Sequence, residues 1–445
     1  MENNVFLFLL LLIEFLFFII VYNDSGRELL NPNTATMGLL VVSLLFAVCG
    51  NMIWNNDFSF KSFWTLLVST AAVPIAQFIS KRSVRKHVIK TESYKLQHID
   101  IRPWKKNVLI FLSVVLTVGY VYDVLKRGQS SGAIGLSAIY AAKMSEKQGN
   151  MILRQGIKLI MATAYVDGFI FVNNISSEKR NREDSFYLIP VICGCICSVF
   201  TGVRTEILRL IIALVVYELV IYKEKTNWKS MKSLNRKTKR LLSLVIVGFL
   251  LAFYFMRLFI KSSDIGENKA YGLFMYFAYY IGSPWLVINQ KIIRGLSKFR
   301  GARFGELTFA TMYMDMVDFG LIKTNVNIKG QAFISIDPRN SVNGNADTMF
   351  GQPLVDFGTL GTIVTILVLY LILSVFYYKK IKNTYSGYYR NISVIVFAFV
   401  YYVVGISFYS NALALMISVY YALTLILIWM IYCFYFGMRI KKRNE

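Results

Sequence analysis

Residues 5–22 read VFLFLLLLIEFLFFIIVY, an apolar run of 18 residues interrupted by a single charge, Glu14. A helix of about 18 to 20 residues crosses the roughly 30 Å of hydrocarbon in a bilayer, so this run is long enough to span a membrane. It has no basic segment before it and no small-residue cleavage site at Tyr22-Asn23-Asp24, both of which a secretory signal would carry. We therefore predict a retained transmembrane helix.

Further apolar runs of similar length recur along the whole chain, which is 56% hydrophobic and 15% aromatic with a mean hydropathy of +0.51. They lie at residues 37–54, 63–80, 107–125, 151–172, 186–200, 205–222, 241–260, 357–378, 392–409 and 412–436. Another apolar stretch, 271–289, contains Gly282-Ser283-Pro284-Trp285, which predicts a break near its middle and a re-entrant or interfacial segment. The sequence predicts an all-α, polytopic integral membrane protein with about 11–12 transmembrane helices, and residues 1–445 form a single membrane domain.

The distribution of lysine and arginine predicts the orientation, because short loops rich in these residues stay cytoplasmic. The basic loops 81–106, 223–240 and 379–390 and the tail 439–443 fall on one side if the spans alternate and the stretch 271–289 does not cross the membrane. This places the C-terminus inside, and the N-terminus and the segments 126–150, 200–204 and 291–356 outside. Because anionic headgroups and topology explain the net charge of +24, we predict a lipid bilayer and no nucleic acid as partner.

The outer loop 291–356 is about 65 residues long, far longer than an ordinary connection, which predicts a functional or partly folded segment. Its middle part, 304–322, mixes apolar and acidic residues as an amphipathic surface helix does.

Metal and cofactor chemistry is not indicated. The two histidines, His87 and His98, share one basic loop, and all five cysteines lie inside apolar runs. Cys193 and Cys197 would share one helix face, so a soft-metal pair is an alternative to simple buried packing, which we favour. The sequence has no Walker phosphate loop and no Asp-x-Asp in an outer loop, so we predict no cofactor and no metal.

Cations near the outer membrane surface need an explanation, since the positive-inside rule disfavours them there. The residues in question are Arg204, Arg209, Arg257, Lys261, Arg300, Arg303 and Arg339. Arg209 lies about 7 Å deeper along its helix than Arg204, where a charge is costly unless it meets a partner or a wet cavity. Two alternatives compete: Glu206 neutralises Arg209 on one helix face, or Arg257 extends to the headgroups. We favour an anion site, because guanidinium binds diphosphate through two parallel hydrogen bonds.

Asp167 and Asp123 also lie in or near apolar spans. Such acids serve proton-coupled transporters, and the alternative is that each pairs with an arginine of a neighbouring helix.

Two segments carry a resemblance to a known family. Thr201-Gly-Val-Arg204-Thr-Glu206, which opens an apolar helix at the predicted outer face, resembles the arginine-bearing turn of bacterial oligosaccharide repeat-unit polymerases, the Wzy-type family. The segment 343–350, NGNADTMF, followed by Asp356-Phe-Gly-Thr-Leu-Gly361, is similar to the end of that family's long outer loop. The plan of many helices with one large outer loop also matches, whereas an arginine repeat with identical glycine spacing in both loops is absent. The second-loop arginine therefore stays open among Arg300, Arg303 and Arg339.

The resemblance implies a metal-independent membrane glycosyltransferase that joins polyprenyl-diphosphate-linked oligosaccharide units into O-antigen, capsule or exopolysaccharide. It acts on the outer face of a bacterial cytoplasmic membrane, and chain-length regulator and flippase proteins are its implied partners. A hydroxyl of the new unit attacks the anomeric carbon of the growing chain and releases polyprenyl (undecaprenyl) diphosphate, so charge on the leaving group is what the enzyme has to stabilise.

The residues assigned to this chemistry fall into two groups. Arg204, Arg209 and Arg257 are the catalytic candidates, which stabilise the leaving diphosphate. Arg303, Arg339, Asn345 and Asp356 are the substrate-binding candidates, although Asp356 also stands where a helix N-cap would stand. Asp337 and Asp347 are weaker candidates for a general base.

Three other classes of protein stay open. A flippase of lipid-linked oligosaccharide usually has two related halves and short loops, which this sequence lacks. An O-antigen ligase shares the plan of a polymerase and differs in its acceptor lipid. A scaffold or receptor would leave the outer-face arginines without a role.

Overall fold

The structure is a computed structural model that describes residues 4–84, 96–130, 132, 137–144, 149–179, 181–201, 204–226, 228, 273–323, 333–337, 342–383 and 388–437. The predicted span 241–260 lies outside these residues, as do Arg257, Lys261 and Arg339.

Helices account for most of the described chain, as the apolar runs predict. The first nine are α1 (Val5–Asp24), α2 (Pro32–Trp54), α3 (Phe60–Thr70), α4 (Ala72–Ser83), α5 (Pro103–Gln129), α6 (Ser137–Met144), α7 (Met151–Ser176), α8 (Leu188–Phe200) and α9 (Arg204–Lys225). They are followed by α10 (Leu273–Arg294), α11 (Ala310–Asp318), α12 (Gly351–Phe376), α13 (Tyr388–Val400), α14 (Tyr402–Gly405), α15 (Leu413–Met416) and α16 (Val419–Phe436). Short 3₁₀ segments occupy Arg182–Tyr187 and Leu296–Phe299, and a π-helical turn, Tyr377–Lys382, extends α12.

Within the described residues, eight helical segments are long and apolar enough to cross a membrane. They are Val5–Asp24, Pro32–Trp54, Phe60–Ser83, Pro103–Gln129, Met151–Ser176, Arg182–Phe200, Gly351–Lys382 and Val419–Phe436. Many of their large apolar side chains point outward, as a bilayer solvent requires and water would penalise. The protein is an all-α, multi-spanning membrane protein, as predicted.

The contacts divide the chain into two compact units. Unit 1 comprises Met1–Lys86, Ser262–Lys379 and Val403–Val419, and unit 2 comprises His87–Lys261, Lys380–Tyr402 and Tyr420–Glu445. In unit 1, α2 packs between α1 and α10, and α12 packs on α4. In unit 2, α7 packs against α5, α8 and α9, and α13 packs on α9.

The break predicted within 271–289 is wrong, because α10 runs through it as one helix with Pro284 inside. Two contacts with α2 explain how the helix continues. Ser43 Oγ donates to the carbonyl of Ile281 (2.5 Å) and accepts from Trp285 Nε1 (3.0 Å). Gly282 lies so close to α2 that an added Cβ would stand 2.5 Å from the Ala47 nitrogen. Packing on α2 thus supports the turn that proline weakens.

The chain from residue 304 onward differs from the prediction in three further places. The amphipathic helix expected at 304–322 is shorter, since turns precede α11 and only Ala310–Asp318 is helical. Two antiparallel strands, β1 (Ile334–Asp337) and β2 (Val342–Gly344), form a hairpin that the sequence analysis did not predict. The runs at 392–409 and 412–436 are each divided, the first near Tyr401 and the second between α15 and α16.

Candidate anion site around Arg209

Arg209 lies in unit 2 on the first part of α9, and its side chain has 0% solvent exposure. Its Nη1 donates to both carboxylate oxygens of Glu206, at 3.1 and 3.3 Å, one turn earlier on the same helix. This is the neutralising pair that the sequence offered as the alternative to an anion site. A buried arginine needs such a partner, because an unpaired charge away from water is strongly unfavourable.

Three aromatic rings of unit 2 enclose the rest of the guanidinium. Its central carbon lies 3.9 Å from the ring centroid of Tyr421, 4.3 Å from that of Tyr402 and 5.6 Å from that of Phe399. The Tyr421 hydroxyl donates to Glu206 Oε1 at 2.8 Å, so one carboxylate connects α9 with the first turn of α16. We call Arg209, Glu206, Phe399, Tyr402 and Tyr421 the arginine cage. Ring faces stabilise a cation that has left water.

The arginine cage leaves hydrogen-bonding capacity unused. Arg209 Nε and Nη2 have no hydrogen-bond partner of good geometry in the described part of the chain; the Tyr421 hydroxyl is a neighbouring polar group. The buried hydroxyl of Tyr165 on α7, whose ring meets Phe399 edge-on with 5.1 Å between centroids, has no hydrogen-bond partner there either. Nε and Nη2 are adjacent donors on one side of a planar group, the geometry with which arginine binds a phosphate. The cage therefore pairs the charge of Arg209 and still offers donors to an anion.

Of the other two catalytic candidates, the structure describes only the backbone position of Arg204. Arg204 is the first residue of α9, one and a half turns before Arg209, and its side chain lies outside the described residues. Arg257 lies wholly outside them. The convergence of the three arginines therefore stays a prediction.

The substrate-binding candidate Asp356 has a clear structural partner in unit 1. Its Oδ2 accepts from the backbone nitrogens of Leu307 (3.1 Å) and Thr308 (2.7 Å) and from Thr308 Oγ1 (2.7 Å). The N-cap interpretation of Asp356 is wrong, because α12 begins at Gly351 and the carboxylate binds the outer-loop segment instead. Its Oδ1 is buried without a hydrogen-bond partner among the described residues.

The arginines of the long loop are engaged locally. Arg303 Nη1 lies 2.9 Å from Oε1 of the buried Glu306. Arg300 Nη2 donates to the backbone carbonyl of Asp356 at 2.6 Å. Asn345 is exposed just after β2, and Arg339 lies outside the described residues. Of the substrate-binding candidates, Asp356 thus belongs to the connection between the loop and α12, whereas Arg303 pairs within the loop.

The two general-base candidates are both buried. Asp347 pairs with Lys291, with Nζ 2.5 Å from Oδ2 and both side chains shielded from solvent. Asp337 ends β1. Because the Asp347 carboxylate is buried in an ion pair with Lys291, its geometry favours a structural role.

Among the described residues, neither acid of the apolar spans, Asp123 or Asp167, pairs with an arginine of a neighbouring helix. Asp123 pairs with Arg127 on its own helix (3.1 Å), not with an arginine of a neighbouring helix. Asp167 is fully buried, and neither of its oxygens has a hydrogen-bond partner of good geometry in the described residues; the Tyr435 hydroxyl is the neighbouring polar group. The cysteines are free, and the described residues hold no cluster of three or more potential metal ligands.

Sequence reasoning missed the aromatic half of the arginine cage. Tyr402, Tyr421 and Phe399 stand in apolar runs among 28 tyrosines and 34 phenylalanines, so no local pattern distinguishes them. It also missed Lys291 as the partner of Asp347.

No protein-family model, curated protein sequence or solved structure matches this chain. Fold and composition together define its class, an α-helical multi-spanning membrane protein.

Proposed function

We propose that this chain is a lipid-linked oligosaccharide polymerase of the Wzy type. The observation that carries the proposal is the fully buried Arg209 with two unused guanidinium donors, on a helix that opens with Arg204 in the sequence TGVRTE. A scaffold has no use for a buried cation that keeps spare donors, because burying it is costly. A diphosphate would satisfy those donors.

In the proposed reaction, a hydroxyl of the incoming repeat unit attacks the anomeric carbon of the growing glycan. The bond to the carrier breaks with inversion, its electron pair leaves with polyprenyl diphosphate, and the proton of the attacking hydroxyl passes to water or to the released diphosphate. Arg204, Arg209 and Arg257 stabilise this charge without a metal, since donors fixed in a site that excludes water act strongly on developing charge. Arg303, Arg339, Asn345 and Asp356 shape the loop that orients the acceptor sugar.

The proposal requires residues 291–356 and the first turn of α9 to face the outside of the cytoplasmic membrane. The basic loops on the opposite side support that orientation. The polyprenyl chains of donor and acceptor then lie in the outer leaflet.

The test replaces Arg204 and Arg209 singly by alanine and measures surface glycan length in the host. Arg154→Ala is the matched control, since Arg154 is an exposed arginine of α7 on the same predicted face. We expect glycans of a single repeat unit with R204A and R209A and normal length with R154A, at equal protein levels. Normal glycan length in R209A contradicts the proposal, and complete loss of surface glycan favours a flippase or a ligase instead.

A further inference from the structure

The loop segment 296–323 of unit 1 exposes large apolar side chains that the other described residues leave largely uncovered. Phe304 is 81% exposed, Phe319 65% and Leu321 73%. Each would gain about 1.5–3 kcal/mol from leaving water. Three such side chains within 18 residues indicate a binding surface, which we call the loop apolar face (Phe304, Phe319 and Leu321).

One attachment places this segment at the start of the membrane-spanning part of α12. The ring of Phe304 packs on that of Phe357, with 4.8 Å between centroids, and Asp356 binds the backbone of Leu307 and Thr308. Gly358 follows, with a φ of 69° that interrupts the helix, so a new helical segment starts there.

That new helical segment carries the outward-facing apolar stripe of α12. Its exposed members follow one another at intervals of four residues: Leu360, Val364, Val368 and Ile372. A stripe with this spacing lies along one side of a helix, and in a membrane protein it faces lipid. Phe304 on Phe357 therefore lies next to Gly358, where the helical segment that carries this stripe starts.

A second attachment is made by the short helix α11. Asp315 Oδ2 accepts from the backbone nitrogen of Val419 at 2.8 Å, and Val419 is the first residue of α16. The loop segment thus binds the beginnings of two membrane helices. With nine residues, or about 13 Å, α11 is far too short to cross the bilayer.

We infer that residues 304–321 lie in the membrane interface, with Phe304, Phe319 and Leu321 inserted between the lipids of the leaflet at this end of α12. The occupant of the loop apolar face is the bilayer itself, because Phe304 packs at the start of the helical segment that carries the lipid-facing stripe and α11 binds the first residue of α16. The exposed Lys298 and Lys323 flank the segment and suit anionic headgroups. This inference is independent of the proposed glycosyl transfer.

The test places the fluorescent amino acid Anap singly at positions 304, 319 and 321 of the full-length protein. The protein is held in nanodiscs of phosphatidylcholine and phosphatidylglycerol at about three to one. Position 360 on the lipid-facing stripe and position 345 in the exposed turn after β2 are the lipid and water standards. Lipid that is spin-labelled near its headgroup should lower Anap emission at positions 304, 319 and 321 by about half. Aqueous iodide should quench emission at position 345 and leave emission at positions 304, 319 and 321 unchanged.

Iodide quenching at 304, 319 and 321 equal to that at 345, without quenching by spin-labelled lipid, overturns the inference.

A second measurement uses the unmodified protein, so that it does not depend on folding of the Anap variants. Phosphatidylcholine with a photoreactive diazirine in its acyl chain is activated in the same nanodiscs, and adducts are mapped by mass spectrometry. We expect adducts within 304–321, and their absence alongside adducts on α12 contradicts the assignment.

Discussion

The guanidinium carbon of Arg209 lies 3.9 Å from the centre of the Tyr421 ring, and the hydroxyl of that same tyrosine donates to Glu206, the ion-pair partner of Arg209. Tyr421 therefore supports both members of a buried ion pair, one through its ring face and one through its hydroxyl. This arrangement keeps Nη1 occupied, while Nε and Nη2 make no hydrogen bond of good geometry to the carboxylate.

Arg209→Lys tests whether the guanidinium geometry matters beyond its charge. Lysine keeps the charge but cannot present two parallel donors, so we expect polymerisation by purified protein to fall about tenfold, and about a hundredfold in Arg209→Ala. The measurement is the rate of glycan elongation on lipid-linked repeat units. Arg154→Lys should leave the rate unchanged. Full activity in Arg209→Lys would mean that only charge is needed.

Tyr421→Phe separates the two contributions of that tyrosine, because it removes the hydroxyl and keeps the ring. A hydrogen bond to a charged group is lost, so we expect a destabilisation of about 1.5–3 kcal/mol in thermal unfolding of the detergent-solubilised protein. Tyr420→Phe is the control, since the Tyr420 side chain makes no hydrogen bond to the arginine cage. Equal unfolding temperatures for the two variants would contradict the proposed support of Glu206.

For the Lys291–Asp347 pair, we expect the stability changes of the two single variants not to add up in the double variant. Lys291→Met or Asp347→Leu alone leaves an opposite charge buried without its partner, which costs about 3–5 kcal/mol. The double variant removes both charges, so it should be more stable than either single variant. A thiol-reactive dye can report unfolding, because all five cysteines are free and two of them, Cys193 and Cys197, are buried in the fold. If the two single losses of stability simply add in the double variant, the interaction between Lys291 and Asp347 does not stabilise the fold.

Asp356 and Thr308 should act as one structural connection between the outer loop and α12. Thr308→Val removes one of the three hydrogen bonds to Asp356 Oδ2, for a loss of about 1 kcal/mol, and Asp356→Ala removes all three. Limited proteolysis should therefore cleave the 296–323 segment faster in both variants, and most in Asp356→Ala. Unchanged proteolysis of Asp356→Ala together with shortened glycans would assign Asp356 to substrate binding instead.

Gly282 should tolerate no side chain. Gly282→Ala puts a Cβ 2.5 Å from the Ala47 nitrogen, and forcing α10 away from α2 should cost about 1–3 kcal/mol. Gly38→Ala is the matched control, because its Cβ would lie at an ordinary 3.4 Å from the Phe18 ring. It should be neutral or raise stability by up to about 1 kcal/mol, since glycine disfavours helix. A neutral Gly282→Ala would show that α2 and α10 can separate freely.

The sequence was a sound guide wherever length and apolarity alone decide the structure. The runs at 5–22, 37–54 and 107–125 became α1, α2 and α5 with boundaries shifted by a few residues. It failed at Pro284 because a local rule about helix breaking does not include Ser43 and Trp285, which support the helix from the side. It failed at Asp356 because a residue before an apolar run has the signature of a cap even when its partner, Thr308, belongs to another segment.

In the candidate site, too, the sequence marks some residues and not others. Arg204 and Arg209 are conspicuous in the sequence, because a charge in an apolar helix is rare and costly. Tyr165, Tyr402 and Tyr421 were invisible, because tyrosine in an apolar run is common and nothing local marks the ones that meet.

By itself the sequence determined that the chain forms helices in a membrane. In lipid, every backbone N–H and C=O must be hydrogen-bonded within its own segment, and the hydropathy of the sequence shows which segments lie in lipid. Only the tertiary structure decided which polar side chains are paired, which donors stay unused and where the outer-loop segment is attached. Those outcomes depend on contacts such as Arg209 with Tyr421 and Phe304 with Phe357, between residues far apart in the chain, and no local pattern encodes such distances.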